Sequence, residues 1–436
     1  MKARWNRWAL FAAVAAVPLG AAWAQSTPPA GSPAPKATPK PADPIAPLPE
    51  GAVEPAPVAE LPPPLWQPVQ VAELLTIINN VGREGLTPAD YDPAGLSAAM
   101  RSGDPVAMSA AATERFNRLS SDLALGHVRG KDRIDWHVDD SDLDPVRPRQ
   151  LLDAGLRENR LGLVLNGLLP THPQYGALKN ALAMALAAPA VDAGKVDKIR
   201  LNMDRWRWLP RDLGSKYIIV NVPAFHATLV ENGVTRWKHR AIAGAIKTPT
   251  PQLSVMATGV ILNPWWEVPP SISREVAGKA GYVALRGKDG KVQRWRQPPG
   301  PANALGQLKF VMYNPYNIYL HDTNARSRFN SQIRALSHGC VRTEHVLDLA
   351  TELLGDDNGP WTPDKIQATL ASKKSVQANF VKPVPVHIVY FSVAALTDGT
   401  IVNYSDLYKR DAKVIAALND AGGKTPGKPA EKVAAN

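Results

Sequence analysis

The chain has 436 residues, a formal net charge of +11, 41 prolines and a single cysteine. That length accommodates two or three domains, and one unpartnered cysteine excludes a disulfide framework. No basic run is interleaved with aromatics, which sets nucleic acid aside as a partner and leaves the positive balance either to anionic cell-surface polymers or to diffuse solubilising charge.

In chain order, the first residues read as an export signal. Lys2, Arg4 and Arg7 form a positive n-region, an apolar stretch runs from Trp8 to Leu19, and Ala22-Trp23-Ala24 is a small-x-small cleavage site before Gln25. Residues 1–24 are thus predicted to be a signal peptide. An uncleaved anchor helix is the alternative, although the apolar run is short for a span. Removing these residues leaves a net charge of +8 and no stretch suited to a stable membrane span. Residues 25–64 are dominated by Pro and Ala and read as an extended, disordered linker without a core of its own.

From 65 to 200 the apolar period is helical. Val71, Leu74, Leu75 and Ile78 share one face, as do Phe116, Leu119 and Leu123, and Leu161, Val164, Leu165 and Leu168. Thr87-Pro88, Tyr91-Asp92-Pro93 and Pro170-Thr171-His172-Pro173 punctuate these runs. His127, His137 and His172 lack metal-ligand spacing and read as surface or core histidines.

From Lys216 the period changes to two. Strands are predicted at Tyr217–Asn221, Phe225–Glu231, Val234–Ala243, Ala257–Leu262, Leu308–Met312, Asn317–His321, Val386–Val393 and Ile401–Tyr404, with hairpin turns at Asn232-Gly233 and Asp398-Gly399. One clear helix, Glu344–Leu354, interrupts them, with Thr343 placed to cap it. Residues 264–307 read as an irregular insertion of the lid or binding-loop kind, and the tail 422–436 as disordered. The fold class expected is α+β and multidomain: a mostly β domain of sandwich or barrel type over 201–405, preceded by a helical domain over 65–200.

Chemistry gathers at Ser337-His338-Gly339-Cys340-Val341-Arg342. A thiol needs a base or a positive field to act as a nucleophile. His321 at a strand end, His338 two residues away and the N-terminus of the following helix are the candidates to supply one. Gly339 permits a sharp turn that exposes amides for an oxyanion, and Arg342 can hold a carboxylate. The set suits acyl transfer through a thioester. Zinc is the rival reading, but it wants three or four ligands, and His338-x-Cys340 fits no common finger spacing. No metal and no cofactor are expected.

With His321 in Tyr319-Leu320-His321-Asp322-Thr323, the Cys340 segment resembles the active-site signature of the L,D-transpeptidases, the YkuD-type enzymes of bacterial peptidoglycan. The preceding helices, Asn202–Pro210 and Thr248-Pro249-Thr250-Pro251 resemble the scaffold domain, junction and substrate-side loop of the large periplasmic YcbB-like group. The short Leu169–Ala188 segment leaves no room for the separate peptidoglycan-binding module of some members. The resemblance implies a periplasmic enzyme with Cys340 as nucleophile, His321 as general base, His338 in support, Gly339 and Cys340 as oxyanion amides, and Tyr319 and Arg342 lining the substrate channel. Residues 264–307 would be a capping subdomain. The implied donor is a tetrapeptide stem that loses D-Ala, the acceptor is a diaminopimelate amine, and the product is a 3→3 cross-link. Water or another amine as acceptor would give carboxypeptidase or wall-anchoring activity, and carbapenems should acylate the thiolate. A non-catalytic peptidoglycan-binding protein or a metal protein are the other readings.

Overall fold

The computed structural model describes residues 64–138, 147–396, 398 and 400–420. The predicted signal, nearly all of the Pro/Ala-rich linker, the tail 422–436 and Gly399 of the second predicted turn lie outside the described residues.

The N-terminal helices are α1 (Pro68–Asn79), α2 (Pro93–Arg101), α3 (Pro105–Leu125), α4 (Arg147–Arg157), α5 (Leu161–Asn166), α6 (Pro173–Leu186) and α7 (Ala193–Arg207). Four of them begin on proline, whose fixed φ and missing N–H fit the first helical turn. Asp92, Asp104, His172 and Asp192 accept hydrogen bonds from the free amides at the starts of α2, α3, α6 and α7. Val71, Leu74, Ile78, Leu96, Phe116, Leu119, Leu161 and Leu165 meet in one core, as the helical period predicted.

The helical region also lends a strand to its neighbour. Strand β1 (Trp136–His137) pairs in parallel with β5 (Gln252–Leu262), an exchange that the sequence did not signal. The other strands of that sheet are β2 (Lys216–Asn221), β3 (His226–Glu231), β4 (Val234–Gly244), β9 (Leu308–Met312), β10 (Leu320–His321), β11 (Ala335–Ser337), β12 (Val341–Thr343) and β13 (Val376–Val389). The path β5-β13-β2-β3-β4-β12-β10-β9 closes on itself through β9 and β5, with β11 beside β4. The sheet is therefore a closed barrel, which leaves few free edges. Asn232 and Gly233 both have positive φ (50° and 77°) in the β3–β4 hairpin, as a tight Asn-Gly turn requires.

Helices α9 (Val346–Gly355) and α10 (Pro363–Ala371) cover the barrel with Leu349, Leu353, Ile366 and Leu370. Helix α10 was not foreseen, although Thr362 caps its Lys365 amide. Thr343 does not cap α9: it lies in β12, and His345, at φ 50°, occupies the cap position. The predicted strand Asn317–His321 shortens to two residues. The Asn314 side chain binds both the N–H and the C=O of Ile318 (3.1 and 2.8 Å) and draws that turn out of the ladder. Beyond the barrel lie β14 (Val393–Ala395), paired with β15 (Ile401–Asn403), and α11 (Asp411–Leu418).

Residues 264–307 are not irregular throughout. Strands β6 (Trp266–Glu267), β7 (Val283–Arg286) and β8 (Val292–Gln297) form a small sheet in the order β6-β8-β7. With α8 (Ser273–Val276), they enclose a core of Val268, Ile272 and Val276. The buried Asn303 side chain donates to the carbonyls of Pro264 and Pro298 (2.9 Å each), tying the two ends of the segment together.

Helix α7 is the junction between helices and barrel. Asp204 accepts from the His127 amide (2.6 Å) and the Trp208 indole (3.0 Å) and pairs with Arg207 (3.4 Å). Asn202 accepts from the Ser392 amide (3.0 Å), and Arg205 pairs with Asp411 of α11 (2.8 Å). Trp206 is stacked between His172 and Phe391. The Asn202–Pro210 segment picked out in the sequence is thus a buried polar joint.

Candidate active site

Two short parallel strands build the site. Leu320 pairs with Val341 and His321 with Arg342, and the Val341 amide donates to the Tyr319 carbonyl (3.0 Å). Leu320 and Val341 are fully buried in the barrel core. Side chains alternate along a strand, so Tyr319, His321, Cys340 and Arg342 all project from the opposite face. Sequence separations of about twenty residues collapse into one patch because β10 and β12 are neighbours.

The Ser337–Cys340 turn is held by its own serine and by two threonines of a neighbouring loop. Ser337 Oγ donates to the Cys340 carbonyl (2.6 Å) and accepts from the Gly339 amide (3.2 Å). Thr250 Oγ1 donates to the Gly339 carbonyl (2.7 Å), and Thr248 Oγ1 to the Ser337 carbonyl (3.1 Å). The Thr248–Pro251 loop therefore braces the Ser337–Cys340 turn through two side-chain hydrogen bonds. Gly339 has φ +117°, a conformation that side chains disfavour, and a Cβ there would meet Ile318 Cδ1 at 3.2 Å. Its amide is already engaged by Ser337, whereas the Cys340 amide has no acceptor among the described residues.

The Cys340 thiol donates to the Asn317 carbonyl (3.5 Å). Part of its surface stays open to solvent, while protein atoms crowd the sulfur on its other sides. That burial pushes the thiol pKa up, and hydrogen bonds from Tyr319 and the charges of Lys309 and Arg342 oppose the rise without cancelling it. His321 is 4% exposed, and its Nδ1 lies 2.5 Å from the Asp322 carbonyl. That contact assigns the proton to Nδ1 and leaves a lone pair on Nε2. Burial, followed by the charges of Arg342 and Lys309, drives its pKa down to about 3, so the ring is neutral near pH 7. No hydrogen bond joins the His321 ring to the sulfur in this state.

His338 turns the other way. Its side chain is 48% exposed, and its Nε2 lies 3.4 Å from Glu275 of the 264–307 segment. Arg342 is half-buried, its Nε lacks a partner among the described residues, and burial lowers its pKa. Burial, followed by the charge of Cys340 and a hydrogen bond with it, raises the Tyr319 pKa well above the usual phenol range, and a hydrogen bond with Trp266 opposes the rise.

The sequence singled out Ser337, Thr250 and Trp266 only as members of their segments and did not mark Lys309 as a site residue. Lys309 lies opposite His321 in β9, its ammonium is 5.0 Å from the Tyr319 ring centroid, and burial lowers its pKa. The one signal for it was a lone cation between Leu308 and Phe310 in an apolar strand.

Fold and site together define a catalytic β-barrel domain joined to a helical scaffold. Residues 215–387 match the YkuD family, described as the L,D-transpeptidase catalytic domain, and residues 61–182 match the family described as Scaffold domain. These matches place a YkuD-type L,D-transpeptidase catalytic domain in the chain, preceded by a scaffold domain. A Haemophilus influenzae protein, itself named only as a candidate L,D-transpeptidase, is 31% identical over 249 residues, 51% of this chain and 50% of that protein. The chain thus spans about half the length of the curated relative it matches. Among solved structures, a mutant L,D-transpeptidase of Enterococcus faecium is similar at 11% identity (41% of this chain, 50% of that one, TM-score 0.23). The L,D-transpeptidase of Mycobacterium smegmatis is similar at 15% (40% and 58%, TM-score 0.21). No helix among the described residues is long and apolar enough to cross a membrane.

Proposed function

We propose that this protein is a peptidoglycan L,D-transpeptidase that works through a thioester on Cys340. The observation that carries the reading is the shared face of Tyr319, His321, Cys340 and Arg342 at the β10–β12 pair, with a neutral imidazole on the same side as a partly open thiol.

A raised thiol pKa and a neutral His321 favour a thiol–imidazole pair over a preformed ion pair in the free protein. His321 Nε2 then takes the thiol proton as the sulfur attacks the carbonyl at the L-centre of diaminopimelate in a tetrapeptide stem. The Cys340 amide donates to the oxyanion. The C–N bond to terminal D-Ala breaks, and imidazolium returns the proton to the departing amine. In the second half, the diaminopimelate side-chain amine of another stem attacks the thioester, giving a 3→3 cross-link and freeing the thiol. Arg342 and Lys309 have no ion-pair partner among the described residues, and they suit the stem's carboxylates. The 264–307 segment caps the cleft through Trp266 and through Glu275 at His338. The catalytic domain is assigned to 201–405 and the scaffold to 65–200, with export to the periplasm by the 1–24 signal. Water as acceptor would make the same site an L,D-carboxypeptidase.

The test is incubation with tetrapeptide muropeptides and mass analysis. Cross-linked product that carries one D-Ala fewer should form with the parent protein and vanish in Cys340→Ala. Product persisting in that variant would end the assignment, as would a parent thiol that takes up neither stem peptide nor a carbapenem.

A further inference from the structure

A second cluster of chemically capable side chains lies outside the cleft. His239 of β4, Glu344 and His345 place two imidazole nitrogens and a carboxylate oxygen all within 4.8 Å of one another. The sequence gives no hint of it, because His239 is about a hundred residues from the adjacent pair. The fold makes the group by pairing β12 antiparallel to β4, and the Glu344 amide donates to the Arg240 carbonyl (2.9 Å). We propose that this group is a binding site for a divalent transition metal of the zinc class, which clamps the chain leaving the catalytic strand to β4.

The donor set selects the class of ion. Two imidazoles and one carboxylate suit zinc and its borderline neighbours and disfavour magnesium or calcium, which prefer oxygen throughout. The rings are already close: the centroids of His239 and His345 are 4.9 Å apart, and His239 rests on Trp237 at 4.2 Å. His345 adopts φ 50°, unusual for a residue other than glycine, and this turn brings its ring toward His239. Asp348 Oδ2 lies 3.6 Å from His345 Nδ1, the position of an outer carboxylate that would orient the ring and leave Nε2 for the ion.

Two features oppose a cation. Arg240 grips Glu344 through both oxygens (2.9 and 2.5 Å), and the α9 N-terminus adds partial positive charge. Each carboxylate oxygen keeps a second lone pair, and hydrogen-bonded carboxylates are common metal ligands. Arg240 is also held by Asn330 (2.9 Å) and the Phe329 carbonyl (3.2 Å), so it stays as an outer partner when Glu344 binds an ion. Glu344 and Asp348 set carboxylate groups beside the two rings, which favours a cation there. These opposing terms place the affinity well below that of closed structural zinc sites.

The experiment uses untagged protein stripped with a chelator and titrated with zinc chloride in a calorimeter, with cobalt absorption as a second readout. One zinc per chain is expected, together with a rise in melting temperature and tetrahedral cobalt bands. His345→Ala, at an exposed position, should weaken binding by roughly tenfold or more. His239→Ala should do the same, while Cys340→Ala should bind as the parent does. Parent protein that binds no zinc, or binding unchanged in both histidine variants, overturns the proposal. Binding lost in Cys340→Ala also overturns it, since the ion would then be at the thiol. None of these readouts depends on transpeptidase activity.

Discussion

Lys309 stands opposite His321 across the antiparallel β9–β10 pair, with its ammonium 5.0 Å from the Tyr319 ring centroid. Among the described residues it forms no ion pair, and its charge favours the Cys340 thiolate against the burial that opposes it. Replacing it with methionine keeps the stem and removes the charge. In Lys309→Met the rate of acylation by a carbapenem should therefore rise with pH along a limb shifted to more alkaline values. The limb itself belongs to the thiol, since His321, with its pKa pushed down to about 3, is already neutral near 6.5 and adds no step there. An unshifted limb would show that Lys309 only fills space.

The turn at Gly339 makes a separate prediction. Gly339 combines φ +117° with an ideal Cβ position 3.2 Å from Ile318 Cδ1. Strain of this kind costs about 1–3 kcal/mol, and relief by a small rotation would move the Cys340 amide and sulfur together. Gly339→Ala should keep its melting temperature within a few degrees of the parent and lose roughly tenfold or more in acylation rate. Full reactivity of that variant would show that the turn tolerates other geometries.

The α7 joint ties the two halves by charge as well as packing. Asp204 and Arg207 are fully buried, and Asp204 also accepts from the His127 amide and the Trp208 indole. Asp204→Ala leaves a buried guanidinium short of its counter-charge, at a cost of about 3–5 kcal/mol. Urea unfolding should shift to a much lower midpoint. A midpoint within experimental scatter of the parent would mean that Tyr175 and the Glu84 carbonyl alone satisfy Arg207.

Local pattern made some of this legible and not the rest. The period-two runs and Asn232-Gly233 gave the strands near the β3–β4 hairpin, because alternation and turn chemistry act within a few residues. Barrel closure through β5 and β9, and the strand β1 lent by the helical region, depend on contacts across about fifty to a hundred residues and leave no local trace. Cys340, His321 and Arg342 were visible as types suited to acyl transfer. The orientation of His338 toward Glu275 and the arrival of Lys309 beside Tyr319 were set by tertiary packing alone.

Acid should loosen the joint at His172. Its ring stacks on Trp206 at 4.1 Å, and its Nδ1 accepts the Gln174 amide (3.1 Å), a bond that only an unprotonated nitrogen can make. Burial lowers its pKa from 6.5 to about 4. The unfolded chain therefore binds more protons than the folded one between those values. The stabilisation is complete above about pH 6.5 and is lost as pH falls toward 4, by roughly 2–3 kcal/mol for this residue. Asparagine also caps helices and does not titrate, so His172→Asn should be less stable than the parent at pH 7.5 through lost stacking, yet lose less between pH 7.5 and 5. Urea midpoints at the two pH values decide it: an equal drop in both proteins would assign the acid sensitivity to other buried groups such as His321.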